Sequence, residues 1–133
     1  MAQVLIIDDD PSIRRLLRGI VEPKGHMVVE ADSGRSGIEA FKTLPIDLVL
    51  TDIVMPDMDG NQTIIELRRL NPRTRIIAIS GGGRARNLTP LQLAKQFGAD
   101  RILEKPFRRE DVQRTIDEVL AEGTIPTPAK GTL

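Results

Sequence analysis

LVLTDIVMPDMDG, residues 48–60, is the stretch whose reading decides the fold. Leu48, Val49 and Leu50 form a short apolar run that reads as a buried strand. It stops at Thr51-Asp52, ahead of a loop holding Pro56, Asp57, Asp59 and Gly60. Asp52 therefore stands at the carboxyl end of a strand, and in open α/β sheets that edge is where ligands bind. One acid at a strand end usually starts a turn or caps the next helix, so its meaning depends on what the other strand ends hold.

Working back from this stretch, Val4 to Ile7 is a continuous Val/Leu/Ile run, apolar on both faces as a central parallel strand would be. It ends in Asp8, Asp9 and Asp10. Asp10 before Pro11 predicts an N-cap with Pro at the first helical position. Ile13, Leu16, Leu17 and Ile20 then mark the inner face of a helix, with Arg14, Arg15 and Arg18 turned outward. Pro23 to Gly25 closes that helix, and Met27 to Ala31 predicts the second strand. Ser33-Gly34 opens a second helix with Ile38, Phe41 and Leu44 on its inner face, although Gly37 inside it costs about 1 kcal/mol of helix propensity.

Working forward, Ile64, Leu67 and Leu70 line a third helix that Asn71-Pro72 breaks. Arg75 to Ile79 is the fourth strand, ending at Ser80, and Gly81-Gly82-Gly83 begins a loop that Thr89-Pro90 closes. A short helix follows with Pro90, Leu93, Ala94 and Phe97 on one face. Arg101 to Glu104 is a brief fifth strand, followed by Lys105-Pro106. Val112, Ile116, Val119 and Leu120 mark the last helix. Five strands alternating with five helices predict an α/β fold, a parallel sheet covered on both faces with right-handed crossovers. One domain spans 1–121, and residues 122–133, EGTIPTPAKGTL, read as a tail or linker.

Composition narrows the function. The 133 residues give room for one domain with a sizeable core. Nineteen basic and nineteen acidic residues cancel, so no overall field favours nucleic acid or an anionic membrane. The chain contains no Cys, which removes disulfides, thiolate metal sites and Cys nucleophiles together. No signal-like start or membrane-length apolar run is present, so a cytoplasmic protein is the expectation. His26 falls in a turn and reads as a loop residue, and Arg84 and Arg86 read as solvated charges.

The strand ends together carry the chemistry: Asp8 and Asp9 after the first, Asp52 after the third, Ser80 after the fourth and Lys105 after the fifth. In a parallel sheet these ends share one edge. Clustered carboxylates repel one another and lose hydration, and a hard divalent cation relieves that. An oxygen-only ligand set suits Mg²⁺, with Mn²⁺ in its place, better than zinc. A Lys ammonium and a Ser hydroxyl beside such a metal meet phosphoryl oxygens, and an Asp carboxylate can itself be the nucleophile.

VLIIDDDPS, LVLTDIVMPDMDG, IIAISG and GADRILEKPF, in this order, resemble the receiver domain of two-component response regulators, from Gln3 to about Ala121. The resemblance implies a flavodoxin-like sheet with strand order 2-1-3-4-5. It implies that Asp52 takes a phosphoryl group from a phosphohistidine on a histidine kinase or histidine phosphotransfer protein. Asp9, Asp52 and the backbone carbonyl of Val54 would bind the metal directly, and Asp8 would act largely through water. Ser80 and Lys105 would contact phosphoryl oxygens, and the Lys105-Pro106 peptide would be cis. A protein partner would read the switched surface, through a phosphorylation-dependent dimer in one variant of the scheme, with no direct contact to nucleic acid or membrane. One departure stands out. Receivers usually place an aromatic three residues before the Lys, and here that position is Ile102, so the usual route out from Ser80 is in question and the Gly81–Gly83 loop becomes the alternative. Rival readings are a receiver-like module that no longer takes phosphate, a flavin-binding module and a haloacid-dehalogenase-type phosphatase built on Asp8-x-Asp10. The last leaves Asp52 without a role, and a flavin would find almost no aromatic to stack on.

Overall fold

The computed structural model describes residues 1–53, 60–81, 95–96 and 98–123. The expected Val54 ligand, the predicted capped start at Thr89-Pro90 with most of the helix behind it, and residues 124–133 lie outside the described residues. The described elements are β1 (Gln3–Ile7), α1 (Pro11–Val21), β2 (Met27–Ala31), α2 (Gly34–Thr43), β3 (Leu48–Asp52), α3 (Gly60–Leu70), β4 (Arg75–Gly81), β5 (Arg101–Lys105) and α4 (Arg109–Gly123). All strand pairs are parallel and the order is β2-β1-β3-β4-β5, as expected.

Continuous apolar strands feed two cores. Alternation sends Leu5, Ile7, Val49, Ile76, Ala78 and Ile102 to the side packed by Ile38 of α2 and by Ile64 and Leu67 of α3. Val4, Ile6, Leu48, Leu50, Ile77, Ile79 and Leu103 go to the other side, against Leu17 and Ile20 of α1 and Val112, Ile116 and Val119 of α4. This two-sided burial is why the strands read as unbroken Val/Leu/Ile runs.

Helix α1 starts as predicted: Asp10 is the N-cap, its carboxylate accepting from the Ser12 N–H at 2.8 Å, with Pro11 next. Its buried stripe is Leu17, Ile20 and Val21, with Ile13 half-buried. Leu16 is 47% exposed because it lies at the margin of that stripe, which Val21 completes. The helix runs into one turn of 3-10 helix, Glu22–Lys24, which Gly25 ends in the left-handed region at φ 92.

Helix α2 begins at a capping box in which Ser33 Oγ accepts from the Ser36 N–H and Ser36 Oγ accepts from the Ser33 N–H. The glycine that weakens it has a packing reason. A Cβ at Gly37 would lie 2.7 Å from Ile7 Cγ1 and closer still to Ile7 Cδ1, so only Gly lets α2 approach β1 this closely. Leu44 caps the helix and is 40% exposed, leaving Ile38 and Phe41 to face the core. At the far end α4 continues through Gly123, two residues past Ala121. Among the described residues, no helix is long and apolar enough to cross a membrane.

Register sets the functional edge. Ile7 pairs with Thr51 and Asp52 with Ile79, so Asp8 leaves β1 level with Asp52, and Ser80 is one residue beyond it on β4. Strand β4 runs two residues past Ile79 and β5 one past Glu104, pairing Ser80 with Glu104 and Gly81 with Lys105.

Candidate functional site

Asp8, Asp9 and Asp52 converge. Each offers a carboxylate oxygen, and the three oxygens lie within 4.8 Å of one another. Asp8 is fully buried, Asp52 is 6% exposed, and Asp9 is open to solvent. The two oxygens of Asp8 differ in their surroundings: Oδ1 accepts the Asp10 N–H at 2.9 Å, while Oδ2 is buried without a hydrogen-bond partner. Lys105 reaches in from the tip of β5, its Nζ 3.6 Å from Asp52 Oδ2 and 3.9 Å from Asp8 Oδ2. These are ion-pair distances, longer than a hydrogen bond. The peptide that follows, Lys105-Pro106, is cis, as expected.

One ammonium facing three carboxylates leaves two negative charges unbalanced, the charge of one divalent cation. Burial pushes the Asp8 carboxyl up to about 6, and the Asp52 and Asp9 charges push the same way. The Asp10 N–H and Lys105 oppose that rise without cancelling it. A hard cation fits the residues present. The donors are all oxygen, Asp8 Oδ2 lacks a partner, and two oxygens bound to one Mg²⁺ sit about 3–4 Å apart. Slight closure, or a water between Asp8 and the ion, would complete such a set.

Ser80 is fully buried at the end of β4, and its hydroxyl donates to the Gly81 carbonyl at 3.0 Å. Ile102 is 9% exposed and packs in the core on the α3 side. Val54 lies outside the described residues. His26 has a structural role: its Nδ1 accepts the Ala2 N–H at 3.0 Å, and burial lowers its pKa.

Sequence reasoning missed a group of charges behind the aspartates. Arg14 and Arg18, expected to point outward, turn to the edge strand, where their Nε atoms donate to Glu30 Oε1 and Oε2 at 3.0 and 2.6 Å. Arg14 Nη1 also donates to the Asp8 carbonyl at 2.6 Å. The available signal was two arginines spaced i, i+4 on α1 and a lone acid one residue before the end of an apolar edge strand.

Comparisons with known proteins give the same picture. The family model for the response regulator receiver domain matches residues 4–117. The chemotaxis protein CheY of Halobacterium salinarum is 35% identical over 89% of this chain and 96% of its own length. The response regulator receiver protein CpdR of Brucella abortus is 34% identical over 90% and 98%. A CheY-like receiver domain protein from Methanospirillum hungatei superposes with a TM-score of 0.83 at 28% identity, covering 93% of this chain and 97% of that one. With the strand order, the acid cluster and the cis peptide agreeing with a match over nearly the whole sheet, the chain belongs to the response regulator receiver family, whose function is to accept a phosphoryl group in two-component signalling.

Proposed function

We propose that Asp52 accepts a phosphoryl group from a phosphohistidine on a partner histidine kinase or histidine phosphotransfer protein. The observation that carries this reading is the meeting of Asp8, Asp9 and Asp52 with Lys105 Nζ 3.6 Å from Asp52 Oδ2. A carboxylate oxygen of Asp52 attacks phosphorus; the O–P bond forms as the P–N bond breaks. The bonding pair returns to the imidazole nitrogen, and the ring leaves neutral when its other nitrogen holds a proton. The product on Asp52 is an acyl phosphate.

Asp9 and Asp52, with the Val54 backbone carbonyl, would hold Mg²⁺ or Mn²⁺ directly, and Asp8 would hold it through water. The cation supplies neutralisation of the charge gathered on the phosphoryl oxygens. Lys105 turns its ammonium from the carboxylates to a phosphoryl oxygen. Ser80 exchanges its bond to the Gly81 carbonyl for one to another phosphoryl oxygen.

That exchange biases the surface around β4 and β5 between two states that a downstream protein partner, or a second copy of the chain, distinguishes. Ile102, buried and β-branched, is stiff where an aromatic would swing, so movement of backbone beyond Ser80 is the route this reading favours. The protein acts in the cytoplasm as a switch that catalyses only its own phosphorylation and slow dephosphorylation. Residues 1–121, with α4 running on to Gly123, form the receiver unit, and the rest of 122–133 is a tail or a linker.

Intact mass after incubation with a small phosphodonor and Mg²⁺ tests the acceptor. Wild type gains the mass of one phosphoryl group and Asp52→Ala gains none. A modified Asp52→Ala protein, or a wild type that stays unmodified, overturns the assignment.

A further inference from the structure

The three acids after β1 sit on a turn, and the structure shows what holds it. At its start the Asp8 N–H donates to the Ala31 carbonyl at 3.1 Å, the last rung of the β1–β2 ladder. Beyond that rung the Asp8 carbonyl takes its hydrogen bond from a side chain, Arg14 Nη1, at 2.6 Å. A guanidinium donor makes this a strong, charge-assisted bond. The guanidinium is in turn fixed, because Arg14 Nε donates to Glu30 Oε1, and Arg18 Nε occupies Glu30 Oε2. Arg18 is held from behind by Glu22 at 2.6 Å. A chain of charges thus runs from Glu22 through Arg18, Glu30 and Arg14 to the backbone of Asp8.

Asp9 gives that chain a purpose. Its carboxylate is exposed and has no partner of its own among the described residues, so its place depends on the backbone. The peptide unit joining the Asp8 carbonyl to the Asp9 N–H is a rigid plane. A bond that fixes the carbonyl also fixes the rotation of that plane and the position of the Asp9 Cα. Resting on the metal-site reading above, we propose that Arg14, locked by Glu30, is a positioning residue that holds the Asp8–Asp9 peptide so that Asp9 meets Asp8 and Asp52 at the cation.

Charge alone predicts the opposite outcome for Arg14, and this makes the idea testable. Deleting a positive charge near three carboxylates strengthens binding of a divalent cation by Coulomb attraction. Loss of positioning weakens it. Calorimetric titration with Mg²⁺ is therefore run on wild type, Arg14→Gln, Glu30→Gln, the double variant and Arg15→Gln, the last an exposed neighbour on the same helix. Arg14→Gln and Glu30→Gln each weaken Mg²⁺ about tenfold, as loss of a metal site's outer partners commonly does. The double variant is no weaker than Arg14→Gln, because the two residues act as one unit, and Arg15→Gln matches wild type. In metal-free protein, amide exchange at Asp9 and Asp10 quickens in Arg14→Gln and Glu30→Gln.

Unchanged or tighter Mg²⁺ binding in Arg14→Gln, additive losses in the double variant, or unaltered exchange at Asp9 and Asp10 would each overturn the proposal. A wild-type protein that does not bind Mg²⁺ would instead sink the metal-site reading, and the metal-free exchange would still decide whether the brace holds the turn.

Discussion

Asp8 has no solvent exposure, and only one of its oxygens accepts a hydrogen bond from within the fold. Its pKa rises from 3.8 to about 6, chiefly through burial. The sign of the stability effect follows from proton linkage. Below about pH 4 the group is neutral in both states and costs nothing. Between pH 4 and 6 the folded chain holds a proton that the unfolded chain has released, so stability falls as pH rises. Above about pH 6 the folded state bears the full cost of a buried charge, about 3 kcal/mol at 1.36 kcal/mol per pKa unit. Asn at this position keeps an acceptor for the Asp10 N–H and removes the charge. Asp8→Asn should therefore make the metal-free protein more stable by about 2–3 kcal/mol at pH 7.5, with the gain shrinking to nothing near pH 4. Urea unfolding at several pH values checks this, and a variant less stable than wild type at pH 7.5 would show that burial is not what perturbs Asp8. The residue is a local liability that makes sense only if something else binds there.

At the scale of the elements, two helix glycines set opposite expectations. A Cβ at Gly19 in α1 would meet nothing within 4 Å, so Gly19→Ala gains helix propensity, about 0.5–1 kcal/mol. Gly37 in α2 faces Ile7, which is fully buried and would have to shift to admit a methyl group, so Gly37→Ala loses about 1–3 kcal/mol through overpacking. Denaturant midpoints of the two variants should move in opposite directions, and a stabilised Gly37→Ala would mean that α2 does not approach β1 as described. The sequence showed Gly37 only as a weakness in a helix, since propensity is a local property and the reason for glycine lies on another element. The same limit explains Arg14 and Arg18. Periodicity places them off the core face of α1, but whether that flank meets water or a neighbouring strand depends on tertiary placement. Strand ends were legible for the converse reason. An unbroken Val/Leu/Ile run too short for a helix reads as a strand buried on both faces, its first polar residue marks the edge, and parallel pairing puts Asp8, Asp52 and Lys105 on one edge, which the strand order implied by the family resemblance then makes neighbours.

For the molecule as a whole, the fold gathers like charges at one edge of a sheet whose interior strands β1 and β3 are almost wholly apolar up to that edge. The two cores lie along the faces of that sheet, and the aspartates with Lys105 stand at the carboxyl ends of its strands. Such an arrangement costs stability in the empty protein and returns it when a cation binds. The unfolded chain has no comparable cluster, because Asp8 and Asp52 are brought together only by the pairing of β1 with β3. Mg²⁺ at one hundred times its dissociation constant should then stabilise the fold by about 2.7 kcal/mol. For a chain of this length that corresponds to a rise of roughly 8–13 °C in melting temperature. The rise should be large at pH 7.5 and small at pH 5, where Asp8 holds a proton that competes with the cation. It should vanish in Asp52→Ala, and sodium chloride of equal ionic strength should not reproduce it. Thermal melts across these conditions decide the matter: an equal rise at both pH values, or one that survives in Asp52→Ala, would place the cation somewhere other than this edge.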